Sequence, residues 1–386
     1  MHAEQSRELY EDLGLRPVIN CSGYNLTVLG GSILSPKVRQ AMEDANRYYV
    51  DMQEMLQKSG QVIAGLVGAE AALVTTGCCS AMLLGVAACM AGKDPEKAER
   101  LPDTRGMKDQ VIIQRLQRYK YDRALTSAGA KLVEVGDETG TRPADIEAAI
   151  GEQTVAIHYV ATSSNQAGIV PFEEVLGIGN RHNIPVIVDA AGQVYPLENL
   201  RKYPVMGADL VAYSSKYFGG PNSAGFLAGR KDLIEAAVMH SFIGFEYGPP
   251  RTIGRAMKLD RQEVVAVVAA LREWLEMDHE ARFAVYAERA ERLQHALAGV
   301  PQIETSPAGD PVNGVRIQFD ERVVGKTTAA IADELMAGNP SIWFHWDLSM
   351  YFERQETNSM VFSVATIVDG DEPAIAERLR SVLAGS

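Results

Sequence analysis

Two residues carry the most chemistry in this chain. Asp189 closes the apolar run Pro185-Val186-Ile187-Val188, and Lys216 follows Asp209-Leu210-Val211-Ala212-Tyr213-Ser214. Both runs are short, apolar and bounded by turn residues, the pattern of strands buried in a parallel sheet. A lysine at the carboxyl end of one strand can form a Schiff base. An acid at the end of its neighbour can keep a pyridine nitrogen protonated, so that the ring accepts electrons from a substrate carbanion. Together these are the requirements of pyridoxal 5'-phosphate (PLP). Taken alone, Lys216 is more often read as a surface lysine and Asp189 as a helix cap.

A phosphate site strengthens the pair. Thr75-Thr76-Gly77-Cys78-Cys79-Ser80-Ala81 lies between a short apolar run, Ala71-Ala72-Leu73-Val74, and the helical pattern Met82-Leu83-Leu84-Gly85-Val86. A helix amino terminus offers free N–H groups and a favourable dipole to an anion, and the Thr76 and Ser80 hydroxyls can add donors. As an isolated motif the segment is only a helix cap. Ahead of an acid and a lysine in one sheet, it becomes the expected phosphate cup. After Lys216, Gly219-Gly220-Pro221-Asn222-Ser223-Ala224-Gly225 allows close backbone approach or a tight turn.

The elements that must position these groups follow from periodicity. Residues 36–59 and 60–67 read as helical, with Gly68 as the stop. Strand-like runs at 110–113, 131–135, 155–160, 186–189, 210–213 and 225–228 alternate with helical patterns. That alternation predicts an α/β fold: a mostly parallel central sheet covered on both faces. Residues 254–298 form the longest helix-prone stretch, as one helix or two. Beyond Pro301, strands at 314–319, 343–348 and 360–364 with helices at 327–337 and 372–383 predict a smaller α+β C-terminal domain. The expected division is a segment 1–35 crossing between domains, a large domain 36–254, and a linking helix with the small domain at 255–386. The aromatic segment Trp343-Phe344-His345-Trp346-Asp347 reads as core packing of a small-domain strand.

Bulk properties narrow the class. At 386 residues the chain is too long for one small core. A net charge of −13 argues against a nucleic-acid partner, which needs a basic surface. Apolar runs are too short and interrupted for a membrane span. Cys21, Cys78, Cys79 and Cys89 lack zinc-type spacing, so no metal is expected. With the polar start Met1–Arg7 they fit a reduced, cytoplasmic setting.

At this point the residues resemble a family. Val18-Ile19-Asn20, Gly23, Gly30-Gly31, Gly68-Ala69-Glu70-Ala71-Ala72 leading to Thr76-Gly77, Val188-Asp189-Ala190-Ala191-Gly192-Gln193, and Lys216 ahead of Gly220-Pro221 are similar to fold-type I PLP enzymes. Within those they resemble the SelA-like branch of seryl-tRNA selenium transferases and D-glucosaminate-6-phosphate ammonia-lyases. Gly254-Arg255-Ala256-Met257-Lys258 is similar to a Gly-Arg-Pro-Met-Lys signature of the lyase-like members. The resemblance implies that Lys216 holds PLP and Asp189 pairs with the pyridine nitrogen. Gly77, Cys78, Cys79 and Ser80 would bind phosphate beside Thr76 and Ser214, with Ser163 and Gln193 near the ring or substrate. It also implies a homodimer or larger homo-oligomer, with residues 221–223 serving a neighbouring subunit.

Three departures stand out. Where relatives often carry a histidine over the ring, this chain has Gln114-Arg115-Leu116-Gln117-Arg118, which puts Gln117 at the cofactor. Met360-Val361-Phe362-Ser363 has no arginine for α-carboxylate capture. The sequence also leaves no room for an extra N-terminal domain of a tRNA-acting transferase.

The expected activity is a PLP-dependent carbon–nitrogen lyase acting on a hydroxylated amino acid. Lys216 would remove the α-proton, a β-hydroxyl would leave, and ammonia and a 2-keto acid would be released. Arg115, Arg118, Arg255 and Lys258 are candidates for the substrate's carboxylate or a distal anion. The alternatives are a racemase or aldolase on a small amino acid, or a non-catalytic binding protein of the same fold. A Rossmann oxidoreductase is disfavoured, because no Gly-x-Gly-x-x-Gly follows an early strand.

Overall fold

A computed structural model describes residues 9–344 and 358–384. The chain falls into two compact units, Gly30–Glu276 and a second built from Met1–Leu29 and Met277–Ser386. In chain order the strands are β1 (Val18–Cys21), β2 (Ala71–Thr75), β3 (Gln110–Gln114), β4 (Lys131–Val135), β5 (Thr154–Val160), β6 (Val186–Asp189), β7 (Leu210–Ser214) and β8 (Gly225–Gly229). β9 (Glu304–Ala308), β10 (Gly314–Gln318), β11 (Ser341–Phe344) and β12 (Ser359–Ser363) follow.

The larger unit is organised on a seven-stranded sheet of order β2-β8-β7-β6-β5-β3-β4. β4, β3, β5, β6 and β7 run parallel, whereas β8 is antiparallel to both β7 and β2. Every residue of β5, β6, β7 and β8 is buried, which is why these segments read as continuous apolar runs rather than alternating ones. The Gly77–Ala91 helix is apolar on all sides, the composition of a helix enclosed by the core. Its Met82, Leu84 and Val86 are sequestered, each contributing about 1.5–3 kcal/mol by leaving water. Burial of Ala81–Ala88 packs this helix into the core, and the Cys78 contact to Asp189 puts its first turn at the carboxyl end of β6. The unit runs past residue 254, because Val264, Ala266, Val267, Ala270 and Leu271 of the Arg261–Glu276 helix are buried in its core.

Local chemistry sets the helix limits. The helical reading of 36–59 resolves into Pro36–Ala45 and Met52–Val67. Asp51 breaks it by capping the second helix, its carboxylate accepting from Glu54 N–H at 2.8 Å. Gly68 ends that helix at φ +75, as expected of a left-handed C-cap. The long stretch after 254 divides in the same way, because Asp278 accepts from Ala281 N–H at 3.0 Å and starts His279–Leu297.

The smaller unit has its own core and two sheets, β1 parallel to β11 and antiparallel β12-β10-β9. The His279–Leu297, Thr328–Ala337 and Glu372–Ala384 helices complete it. Of the Trp343–Asp347 segment, Phe344 is buried in that core beside Phe362; residues 345–347 lie outside the described residues. No helix among the described residues is long and apolar enough to cross a membrane.

Candidate active site

Backbone bonds bring the two key residues together. Asp189 is the last residue of β6 and pairs in register with Ala212 of β7. The turn after it is tied to the end of β7: Ala190 N–H donates to Ala212 O at 3.0 Å and Ser214 N–H to Ala191 O at 3.2 Å. Gln193 N–H closes the turn on Ala190 O at 2.9 Å. Lys216 follows two residues after Ser214, in a 3-10 turn Ser215–Phe218. That loop is rigid. The Ser215 hydroxyl donates to Ala224 O at 2.8 Å and Pro221 O at 2.5 Å, and Gly220 N–H returns to Ser215 O at 2.8 Å.

Lys216 is partly buried, with Nζ 5.1 Å from the Tyr217 ring centroid. Burial holds its pKa below the usual lysine value, while Cys79 pulls the other way. Such an amine has a larger neutral fraction, the form that attacks a carbonyl or takes a proton.

Asp189 is 7% exposed and saturated with donors on one side. Its Oδ1 accepts from Ala191 N–H at 2.9 Å and from the Cys78 thiol at 3.3 Å. Its Oδ2 accepts from the Tyr119 hydroxyl. Burial, then Asp189, pushes the Cys78 and Tyr119 pKa values up, so both groups stay protonated and act as donors.

Cys78 belongs to the first turn of the Gly77–Ala91 helix, so the acid and the phosphate cup share a contact. Thr76 and Ser80 hydroxyls lie 2.7 Å apart, and Ser80 Oγ donates to Thr76 O at 3.0 Å. Gly77 has φ +82, and a Cβ there would meet no atom within 4 Å, so space stands open over the cup. Beneath it, a Cβ on Gly225 would sit 2.9 Å from the Gly77 carbonyl carbon, so only glycine lets β8 pass so close. Cys79 is exposed, and both Asp189 and Lys216 act on its thiol electrostatically. That set fits PLP: an anion cup, a buried carboxylate and a lysine of depressed pKa.

The other candidates are placed as follows. Gln117 is buried and its amide is committed, Nε2 donating to Val160 O and Ser163 Oγ at 3.0 Å each while Oε1 accepts from Val160 N–H at 3.3 Å. It therefore pins the end of β5 together with Ser163, and Tyr119, two residues on, makes the contact to Asp189. Arg118 is held by Asp122 at 2.5 Å and by Glu134. Arg115 faces Glu138 at 3.7 Å and Arg255 faces Glu246 at 2.6 Å. Lys258 is exposed. Three of the four candidate cations are thus engaged in ion pairs.

Sequence reasoning missed Tyr119 and His158. His158 on β5 is fully buried, and neither ring nitrogen has a hydrogen-bond partner. Its ring stacks on Tyr119 at 6.3 Å and 15°. The available signal was a single ionisable imidazole inside a largely apolar strand.

Fold and site define a PLP-dependent enzyme of fold type I. The family model for L-seryl-tRNA selenium transferase (SelA) matches residues 18–289, and the chain belongs to that family. It is similar to a 5'-C-glycyluridine monooxygenase-decarboxylase of a Streptomyces species, 32% identical over 97% of this chain and 92% of that one. It is similar as well to the D-glucosaminate-6-phosphate ammonia lyase of Salmonella typhimurium, 28% identical over 97% of each. A solved D-glucosaminate-6-phosphate ammonia-lyase superposes with a TM-score of 0.85 at 26% identity, covering 97% of this chain and 98% of that one. A solved SPT with PLP shares the fold at a TM-score of 0.55 and 15% identity, covering 95% of this chain and 87% of that one. The protein is thus an enzyme, lyase-like, whose cofactor is PLP.

Proposed function

We propose that this enzyme is an ammonia-lyase that removes the α-proton of a hydroxylated amino acid and eliminates its β-hydroxyl. The products are ammonia and a 2-keto acid. The observation that carries the reading is the joint placement of Asp189 and Lys216 by the β6–β7 ladder, in a chain similar over nearly its whole length to an ammonia lyase.

When bound, PLP supplies an electron sink for the carbon bearing the substrate amine. Lys216 would carry it covalently, and Asp189 would keep its ring nitrogen charged. The amino terminus of the Gly77–Ala91 helix, with Thr76 and Ser80, would hold its phosphate. Cys78, Cys79, Ser163, Gln193 and Ser214 would line the same site. The Lys216 amine, its pKa already lowered by burial, would be the base for the α-proton. The β-hydroxyl departs with a proton as water, and hydrolysis of the resulting imine releases ammonia. Arg255 and Lys258, in the segment similar to the lyase signature, are proposed to meet the substrate's anionic end. A homo-oligomer acting in the cytoplasm is part of the same proposal.

The test is to incubate PLP-loaded protein with a panel of hydroxylated and phosphorylated amino acids, following the visible spectrum, ammonia, keto acid and oxygen together. Ammonia and keto acid in equal amounts without oxygen uptake are expected. A spectral shift without ammonia would redirect the assignment to racemase or aldolase chemistry. Oxygen consumption with release of carbon dioxide would place the chemistry with that named for the Streptomyces relative.

A further inference from the structure

Tyr119 is unused by the mechanism above, yet it holds half of the acid on which that mechanism depends. Its hydroxyl donates to Asp189 Oδ2, while Ala191 N–H and the Cys78 thiol occupy Oδ1. The Met82 sulfur, 3.6 Å from the same hydroxyl oxygen, and the stacked His158 ring wall in the phenol. Two 3-10 turns, Arg115–Gln117 and Lys120–Asp122, deliver it to this position. Tyr119 N–H is itself fastened to Asp122 Oδ2 at 3.4 Å.

We infer that Tyr119 is a positioning residue for Asp189, whose hydroxyl keeps that side chain an anion facing the cofactor nitrogen. A donor to the charged form of an acid favours that form. Were Asp189 to draw the shared proton to itself, the ring nitrogen would lose its charge and its power as an electron sink. The Tyr119 hydroxyl opposes this by stabilising the carboxylate. His158 suits the role as a neutral neighbour: burial keeps its imidazole uncharged against the pull of Asp189 and Asp122, so no second cation competes for Asp189. The inference rests on the assignment of Asp189 as partner of the pyridine nitrogen.

The experiment loads wild type, Tyr119→Phe, Tyr119→His and Asp189→Asn with PLP labelled with 15N in its ring. It measures the pyridine nitrogen shift together with kcat and KM. In Tyr119→Phe the nitrogen resonance should move toward the neutral pyridine position, the sharing of the proton between the nitrogen and Asp189 shifting roughly ten-fold toward Asp189, the worth of one charge-assisted hydrogen bond. kcat should fall by a similar factor with KM nearly unchanged, and Tyr119→His, which keeps a ring and an N–H donor, should recover part of both. A wild-type shift and kcat in Tyr119→Phe would overturn the inference. If Asp189→Asn also leaves the shift unmoved, the assignment of Asp189 itself falls. If only Asp189→Asn moves it, the role of Tyr119 alone is lost.

Discussion

The Cys78 thiol and the Asp189 carboxylate meet at 3.3 Å, joining the first turn of the Gly77–Ala91 helix to the carboxyl end of β6. The two elements proposed to hold the cofactor's phosphate and its ring are thereby tied to each other. Replacing Cys78 by alanine removes a weak donor and leaves a small void, a loss of about 1–2 kcal/mol. Thermal unfolding of the apoprotein should register that loss. PLP titration should show weaker binding in Cys78→Ala than in Cys78→Ser, which keeps a donor.

Lys216→Ala should abolish covalent attachment of PLP. Borohydride reduction followed by intact-mass measurement should give an adduct on wild type and none on the variant. If Lys216 is also the base, turnover should fall by about 10²–10⁴-fold. External amines should restore a part of it.

Cys79 offers a direct probe of the phosphate cup. The residue is exposed at its surface, yet crowding by the surrounding protein desolvates the thiol; that desolvation and then Asp189 raise its pKa, while Lys216 lowers it. Alkylation by iodoacetamide should therefore be slow at neutral pH and rise steeply under alkaline conditions. Lys216→Ala, which removes the one favourable charge, should slow it further. Bound PLP should protect the thiol; equal labelling rates with and without PLP would place the phosphate elsewhere.

Buried histidines set an acid limit on stability. His158 and His240 both titrate below the usual 6.5, burial being the leading cause. The unfolded chain thus binds a proton more readily than the folded one. Their contribution is complete above about pH 6.5 and is lost as pH falls below it, by up to roughly 1.4 kcal/mol per pH unit for each. The melting temperature of the apoprotein should fall from pH 6.5 toward pH 5. His158→Phe should flatten that slope.

Much of this was legible in the sequence because buried parallel strands leave an unambiguous trace. The runs ending at Asp189 and Ser214 emerge as β6 and β7, and the glycine and hydroxyl residues after Val74 emerge as the start of a buried helix. Tyr119 was not legible. It sits between two 3-10 turns, Arg115–Gln117 and Lys120–Asp122, and such turns carry no periodicity that says which way a side chain faces. Gln117 drew attention instead, but its amide is spent on the backbone of Val160. β9 was missed for a different reason: it is a short, partly polar strand at a sheet edge containing Pro307, where hydrophobic alternation is weak.

The antiparallel course of β8 has a consequence for how the chain can vary. Because β7 and β8 form a hairpin with Ser214 opposite Gly225, Lys216 rides on a closed connection anchored at both ends to one ladder. A residue gained or lost within it must be absorbed where Ser215 clasps Pro221 and Ala224. Otherwise the ladder slips by one position, turning each side chain of the slipped strand to the opposite face. The reactive amine is therefore indexed by loop length as much as by residue type, and insertions at 215–224 should inactivate the enzyme even when every named side chain is retained.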